Sequence, residues 1–149
     1  MSAALNTLVE QMRILDRTRA DPVWFAENIL KLTGTKFYLD AWQKELLEAV
    51  ADVYRKQNNL PTIINHEGKS MITVRAPHGP GKTFTVAAIM HWFNNAFKGR
   101  IICTAPKEKQ LATRLWPAFR KIAVCAGKEY SDPLKIDALK ITWHGHEDW

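Results

Sequence analysis

The residues with the plainest chemical meaning run Ala76-Pro77-His78-Gly79-Pro80-Gly81-Lys82-Thr83. Apart from its first position the stretch has the spacing G-x-x-x-x-G-K-[ST] of a loop that cradles phosphates. Backbone N–H groups in such a loop point inward and form a nest for phosphate oxygens. A helix that begins just after the loop adds partial positive charge at the same place. Gly81 removes the Cβ that would hold the backbone away from the phosphates. Lys82 then reaches the β- and γ-phosphates as a point charge, and the Thr83 hydroxyl is placed to ligate Mg²⁺. The expected phosphate-binding set is His78, Gly79, Pro80, Gly81, Lys82 and Thr83, with Lys82 as the cation that acts on the transferred phosphate. Two positions modify the pattern. Ala76 stands where the first glycine is usual, and Pro77 keeps it extended, which suits the end of a strand. Pro80 has no N–H, so the nest has one donor fewer.

A loop of this kind needs a strand before it and a helix after it. Met71 to Arg75 is rich in β-formers and predicts the strand. Val86, Ile89, Met90, Phe93 and Phe97 recur at helical spacing and predict a helix from about Thr83, with Gly99 as its stop. Ile101 to Thr104 predicts a second strand broken by Pro106, and Lys107 to about Val124 a helix kinked or divided at Pro117. Upstream, Leu5, Leu8, Val9, Met12 and Leu15 mark an amphipathic helix over 3–17. Asp21-Pro22 starts a second helix with Phe25, Ile29 and Leu32 on one face and Gly34 as its end. Asp40 caps a third, with Trp42, Leu46, Ala49, Val50 and Val53 as its apolar face. The polar stretch 55–70 is a connection that admits a short strand at 62–64. Ile136, Leu139 and Ile141 fit either a short helix or a strand. Alternation of strand and helix predicts an α/β fold, a three-layer P-loop architecture on a parallel sheet. Its parts are N-terminal helices over 1–57 and a partial core over 58–149.

Composition agrees with a folded soluble chain: 46% of the 149 residues are hydrophobic and 24% charged. No run of apolar residues is long enough to span a bilayer, and the charged N-terminus is no signal peptide. Twenty-one Lys and Arg against 15 Asp and Glu give a net charge of +6, which fits a polyanionic partner and equally fits a basic soluble surface. Cys103 and Cys125 form no C-x-x-C pair and read as reduced thiols.

Three segments together resemble terminase large subunits, the ATP-driven DNA-packaging motors of phages. Besides the phosphate loop, a Walker A sequence in that family, Leu39-Asp40-Ala41-Trp42-Gln43 is similar to their adenine-binding segment, with an aromatic residue and a glutamine ahead of a helix. By that resemblance Gln43 reads adenine, using an amide that both donates and accepts. Ile101-Ile102-Cys103-Thr104-Ala105-Pro106-Lys107-Glu108-Lys109-Gln110 resembles the family's T-A-P-x-x-x-Q segment, which implies that Thr104, Lys107 and Gln110 couple DNA to the nucleotide site. Lys107 replaces the usual hydroxyl residue and adds charge; Lys107, Lys109, Arg114, Arg120 and Lys121 fit a solvated helix face equally well. The run from Asp21 to Leu30 is closer to terminases than to helicases. The residue that senses the γ-phosphate is left open between His78 and Arg75.

The resemblance implies a RecA-like (ASCE) P-loop ATPase domain with ATP and Mg²⁺ as cofactors. Implied partners are double-stranded DNA, the terminase small subunit, the portal of the procapsid and further copies of the chain, with no membrane. The implied location is the cytoplasm of the bacterial host. Glu147-Asp148 follows no apolar strand and is not the Walker B pair, so the sequence reads as truncated before Walker B and before the nuclease domain. His144 and His146 beside that acidic pair read as a polar tail rather than a metal site. A fragment of a superfamily 2 helicase or other DNA-dependent ATPase shares the glutamine and T-A-P segments, and a non-catalytic nucleotide-binding piece of a split gene is the third reading.

Overall fold

A computed structural model describes residues 3–32, 38–64, 71–75, 79, 81–99, 101–136 and 141–143. Helix α1 covers Ala3–Ala20, and α2, Pro22–Trp24, runs on into a π turn over Phe25–Ile29. Asp21 caps α2 by accepting the Trp24 N–H at 2.7 Å, and Pro22 takes the first helical position, where its missing N–H costs nothing. The π turn ends at Leu30, and Lys31 turns left-handed at φ 53°, ahead of the expected stop at Gly34, which lies outside the described residues.

Helix α3, Ala41–Gln57, starts from Asp40. Its deeply buried positions include Gln43, Leu47, Ala51 and Arg55; of the expected Trp42, Leu46, Ala49, Val50 and Val53 only Ala49 is among the buried residues, so the stripe is rotated by about one residue. The rotation carries polar groups inward, and all of them are paired. Arg55 donates to Asp52 at 2.7 Å and to the Ala20 carbonyl, and its guanidinium lies 2.6 Å from Glu48. Asp52 in turn accepts the Ile63 N–H at 2.9 Å and that of Ile64, so 62–64 is held by a carboxylate and forms no strand. Burial pushes the Asp52 carboxyl up, but Arg55 and the two amides outweigh it and hold the group below its ordinary value.

Helix α4, Lys82–Phe97, is apolar nearly all round and is enclosed by α1, α3 and the later helices. Trp92 donates to the Thr18 carbonyl at 2.6 Å and Arg19 to the Ala96 carbonyl at 3.0 Å, which fixes the C-terminal end of α1. Leu5, Leu8, Val9 and Met12 are exposed, Met12 by 59%, so the apolar stripe read from the sequence is not a core face. At the far end of α4, Lys98 takes the left-handed position rather than Gly99. Gly99 has a different reason to be glycine, because a Cβ there would come within 2.6 Å of the Phe93 ring.

Helix α5, Glu108–Gln110, passes through a second π turn, Leu111–Leu115, into α6, Trp116–Ala126. Pro117 has no N–H for the carbonyl four residues back, and the wider turn before it lets the helix continue undivided. His91 of α4 stacks on Phe119 of α6 with ring centroids 3.6 Å apart. The Phe119 carbonyl can only accept, so His91 Nε2 carries the proton and donates at 2.8 Å, while Nδ1 faces the Tyr130 hydroxyl at 3.0 Å. Burial pulls the His91 pKa down to about 4, so the ring is neutral. After the short α7, Lys128–Ser131, strands β1, Leu134–Ile136, and β2, Ile141–Trp143, pair antiparallel with Ile136 opposite Ile141. Ile136 and Ile141, open between helix and strand in the sequence, are therefore strand residues; Leu139 lies outside the described residues.

The expected three-layer parallel-sheet P-loop architecture is not what forms. Among the described residues the chain is mostly helical, and its strands are this one antiparallel pair. Residues 71–75 and 101–105 carry no ladder. Ile101 and Cys103 pack against the helical core while Ile102 is 81% exposed, so the strand-like alternation survives without a partner strand. A strand is stabilised by its cross-strand neighbours, and β-forming residues alone do not make one. No helix among the described residues is long and apolar enough to cross a membrane.

Candidate phosphate-binding site

The glycine turn enters α4 directly. Gly81 is the residue preceding the helix, at φ 80° and ψ 14°, and Gly79 also has positive φ, at 96°. Both are left-handed conformations that a side chain would strain. The Gly81 N–H donates back to the Gly79 carbonyl at 2.9 Å, closing a tight turn, and the Thr85 N–H returns to the Gly81 carbonyl at 2.9 Å as the first helical bond. The first turn of α4 holds Lys82, Thr83 and Phe84, whose N–H groups lie at the positive end of the helix. Lys82 and Thr83 are half-buried at this helix head. A Cβ on Gly79 would meet no atom of the described residues within 4 Å. His78 and Pro80 of the expected set, with Ala76 and Pro77, lie outside the described residues. Arg75 is exposed at the end of 71–75.

Gln43 lies beneath this turn. It is only 3% exposed. Its Oε1 accepts the Asp40 N–H at 2.8 Å, which satisfies a donor at the head of α3. Its Nε2 donates to the Thr85 hydroxyl at 2.7 Å, and that hydroxyl donates to the Gly81 carbonyl at 3.1 Å. The network fixes the amide orientation, because the reverse would set a donor against the Asp40 N–H. The space beside Gly81 is correspondingly tight: a Cβ built there would lie 3.0 Å from Gln43 Nε2. Lys44, next along α3, pairs with Glu27 at 2.6 Å and ties the same helix head to the first π turn.

Thr104, Lys107 and Gln110 have exposed side chains on the segment leading into α5, and the Gln110 N–H donates to the Lys107 carbonyl at 2.9 Å. Sequence reading did not single out Thr85. Its signal was available: a hydroxyl residue one helical turn after Gly81, on a helix whose other buried positions apart from His91 are apolar, is placed to reach back to the loop.

A well-shaped apolar cleft of about 560 Å³ lies elsewhere, between the C-terminal ends of α3 and α4, lined by Val50, Tyr54, Phe93 and Phe97 among others. Helical rise puts it about 18–24 Å along α4 from the glycine turn. Its lining is mostly apolar and aromatic, and none of the residues expected to bind phosphate lies in it. Comparison of the chain with protein-family models, with curated proteins and with solved structures found no match.

Proposed function

We propose that this chain binds the triphosphate of ATP, with Mg²⁺, at the head of α4, and that it is the ATP-binding part of a viral DNA-packaging large subunit. The observation that carries the reading is the glycine turn itself: two left-handed glycines feed a helix of 16 residues whose first turn holds Lys82 and Thr83. The positive end of the helix, the Lys82 ammonium and the Thr83 hydroxyl are groups suited to phosphate oxygens and a hard cation. Lys82 neutralises phosphate charge and Thr83 holds the metal. When bound, Mg²⁺ supplies charge neutralisation between the β- and γ-phosphates. The reading rests on this turn and helix alone, because the strand expected before the turn at 71–75 does not form.

In the packaging motor the partner is double-stranded DNA, driven toward a procapsid portal with the help of the small subunit. The +6 net charge and the exposed Lys107 and Gln110 support a polyanionic partner. Titration with a fluorescent ATP analogue in the presence of Mg²⁺ tests the site. One charge-assisted contact contributes about 1.5–3 kcal/mol, so Lys82→Ala weakens binding by about tenfold to a hundredfold. Equal affinity of the two proteins would remove Lys82 from the site and with it the reading.

A further inference from the structure

We infer that Thr85 and Gln43 are positioning residues for the phosphate turn, acting on its backbone rather than on the nucleobase; this rests on the proposed binding of a triphosphate at α4. The path is continuous. The Asp40 N–H at the head of α3 donates to Gln43 Oε1, Gln43 Nε2 donates to Thr85 Oγ1, and the Thr85 hydroxyl donates to the Gly81 carbonyl. Every atom along it is within hydrogen-bond distance, and both Gln43 and Thr85 are buried. The Gly81 carbonyl receives the Thr85 hydroxyl as well as the Thr85 N–H, which fixes the peptide plane leading into Lys82. The orientation of the N–H groups that face a phosphate follows from that plane.

The Gln43 amide is engaged on both sides. One N–H and one lone pair remain, on a side chain that is 3% exposed and packed against the Gly81 backbone. An adenine ring reading this amide would have to reach that one N–H and one lone pair past the Gly81 backbone, on a side chain that is buried. The amide therefore joins the heads of α3 and α4 into one hydrogen-bonded unit, and pre-organises the turn before an anion arrives. A hydroxyl on Thr85 is the necessary middle member, because it accepts from Gln43 and donates to Gly81 with a single group.

The test uses ATP, GTP and inorganic tripolyphosphate, each with Mg²⁺, titrated into the wild-type chain and into Thr85→Val, Thr85→Ser and Gln43→Met. Loss of a neutral hydrogen bond predicts about a twofold to tenfold weakening for Thr85→Val. Thr85→Val and Gln43→Met each weaken all three ligands by one common factor, and Thr85→Ser, which keeps the hydroxyl, binds like wild type. Amide hydrogen exchange of Gly81 to Phe84 in the ligand-free chain accelerates in Thr85→Val and not in Thr85→Ser. A loss confined to ATP, with GTP and tripolyphosphate unchanged, would assign Gln43 to the base and overturn the inference. Unchanged affinity and exchange in Thr85→Val would overturn it while leaving the phosphate site standing. A wild-type chain that binds none of the three ligands overturns both.

Discussion

Replacing Gly81 by alanine perturbs the site at its most constrained atom. Two costs are legible in the geometry. At φ 80° an L-residue sits in the left-handed region, which costs about 1–2 kcal/mol relative to glycine. The new methyl also lies 3.0 Å from Gln43 Nε2, closer than ordinary contact, so the amide must retreat. Retreat lengthens the 2.7 Å bond to Thr85, whose net contribution is about 0.5–1.5 kcal/mol. Gly81→Ala is therefore expected to destabilise the fold by about 1.5–3.5 kcal/mol, read as a lower midpoint at unchanged slope in urea denaturation. Gly79→Ala is the internal control. Its φ of 96° carries the strain, but its Cβ has no neighbour within 4 Å, so only the first cost applies and the loss is about 1–2 kcal/mol. Gly81→Ala in a Gln43→Met background loses the crowding difference if the reasoning holds. Equal destabilisation by the two glycine substitutions, or none by Gly81→Ala, would refute the packing of Gln43 against the turn.

Two further outcomes concern the scaffold. His91 has a folded-state pKa lowered from 6.5 to about 4, so as pH falls the unfolded chain takes up the proton first. Stability is full above about pH 6.5 and declines toward pH 4, by about 3 kcal/mol across that window. Chemical denaturation at stepped pH shows this slope in wild type, and His91→Gln, which keeps a donor for the Phe119 carbonyl, flattens it. Asp52→Ala removes one of the two carboxylates paired with buried Arg55, which keeps Glu48, and the acceptor of the Ile63 and Ile64 amides. Loss of a hydrogen bond to a charged group costs about 1.5–3 kcal/mol. A melting temperature equal to wild type would refute the assignment of this network to the core.

Helix starts were legible because each depends on neighbours a few residues away. Asp21-Pro22, Asp40 and Gly81 stand at the heads of α2, α3 and α4 as local chemistry requires, and the break at Pro117 appears as a π turn. The positions of Gly81, Lys82 and Thr83 at a helix head were legible for the same reason. Faces were less legible. The α1 stripe of Leu5, Leu8, Val9 and Met12 has helical spacing, but spacing says which residues share a face and not whether a neighbour covers it. The α3 face rotated because Asp52 and Arg55 are buried as a satisfied pair, a compensation that a hydrophobicity pattern scores as surface. The parallel sheet was the largest error: 71–75 and 101–104 have strand composition and, among the described residues, no strand to pair with.

What the amino-acid sequence determined by itself was thus the local grammar: helices, their caps, and a glycine turn whose backbone must go left-handed. These depend on φ preferences and on bonds between residues close in the chain, and both are encoded residue by residue. Only the tertiary structure decided that α4 becomes a buried central helix, that Ile136 and Ile141 pair as strands, and that Gln43 reaches Thr85 and Gly81 from 42 residues away in sequence to Thr85. A side chain with two donors and an acceptor has many possible partners, and which of them it meets is settled when the helices pack.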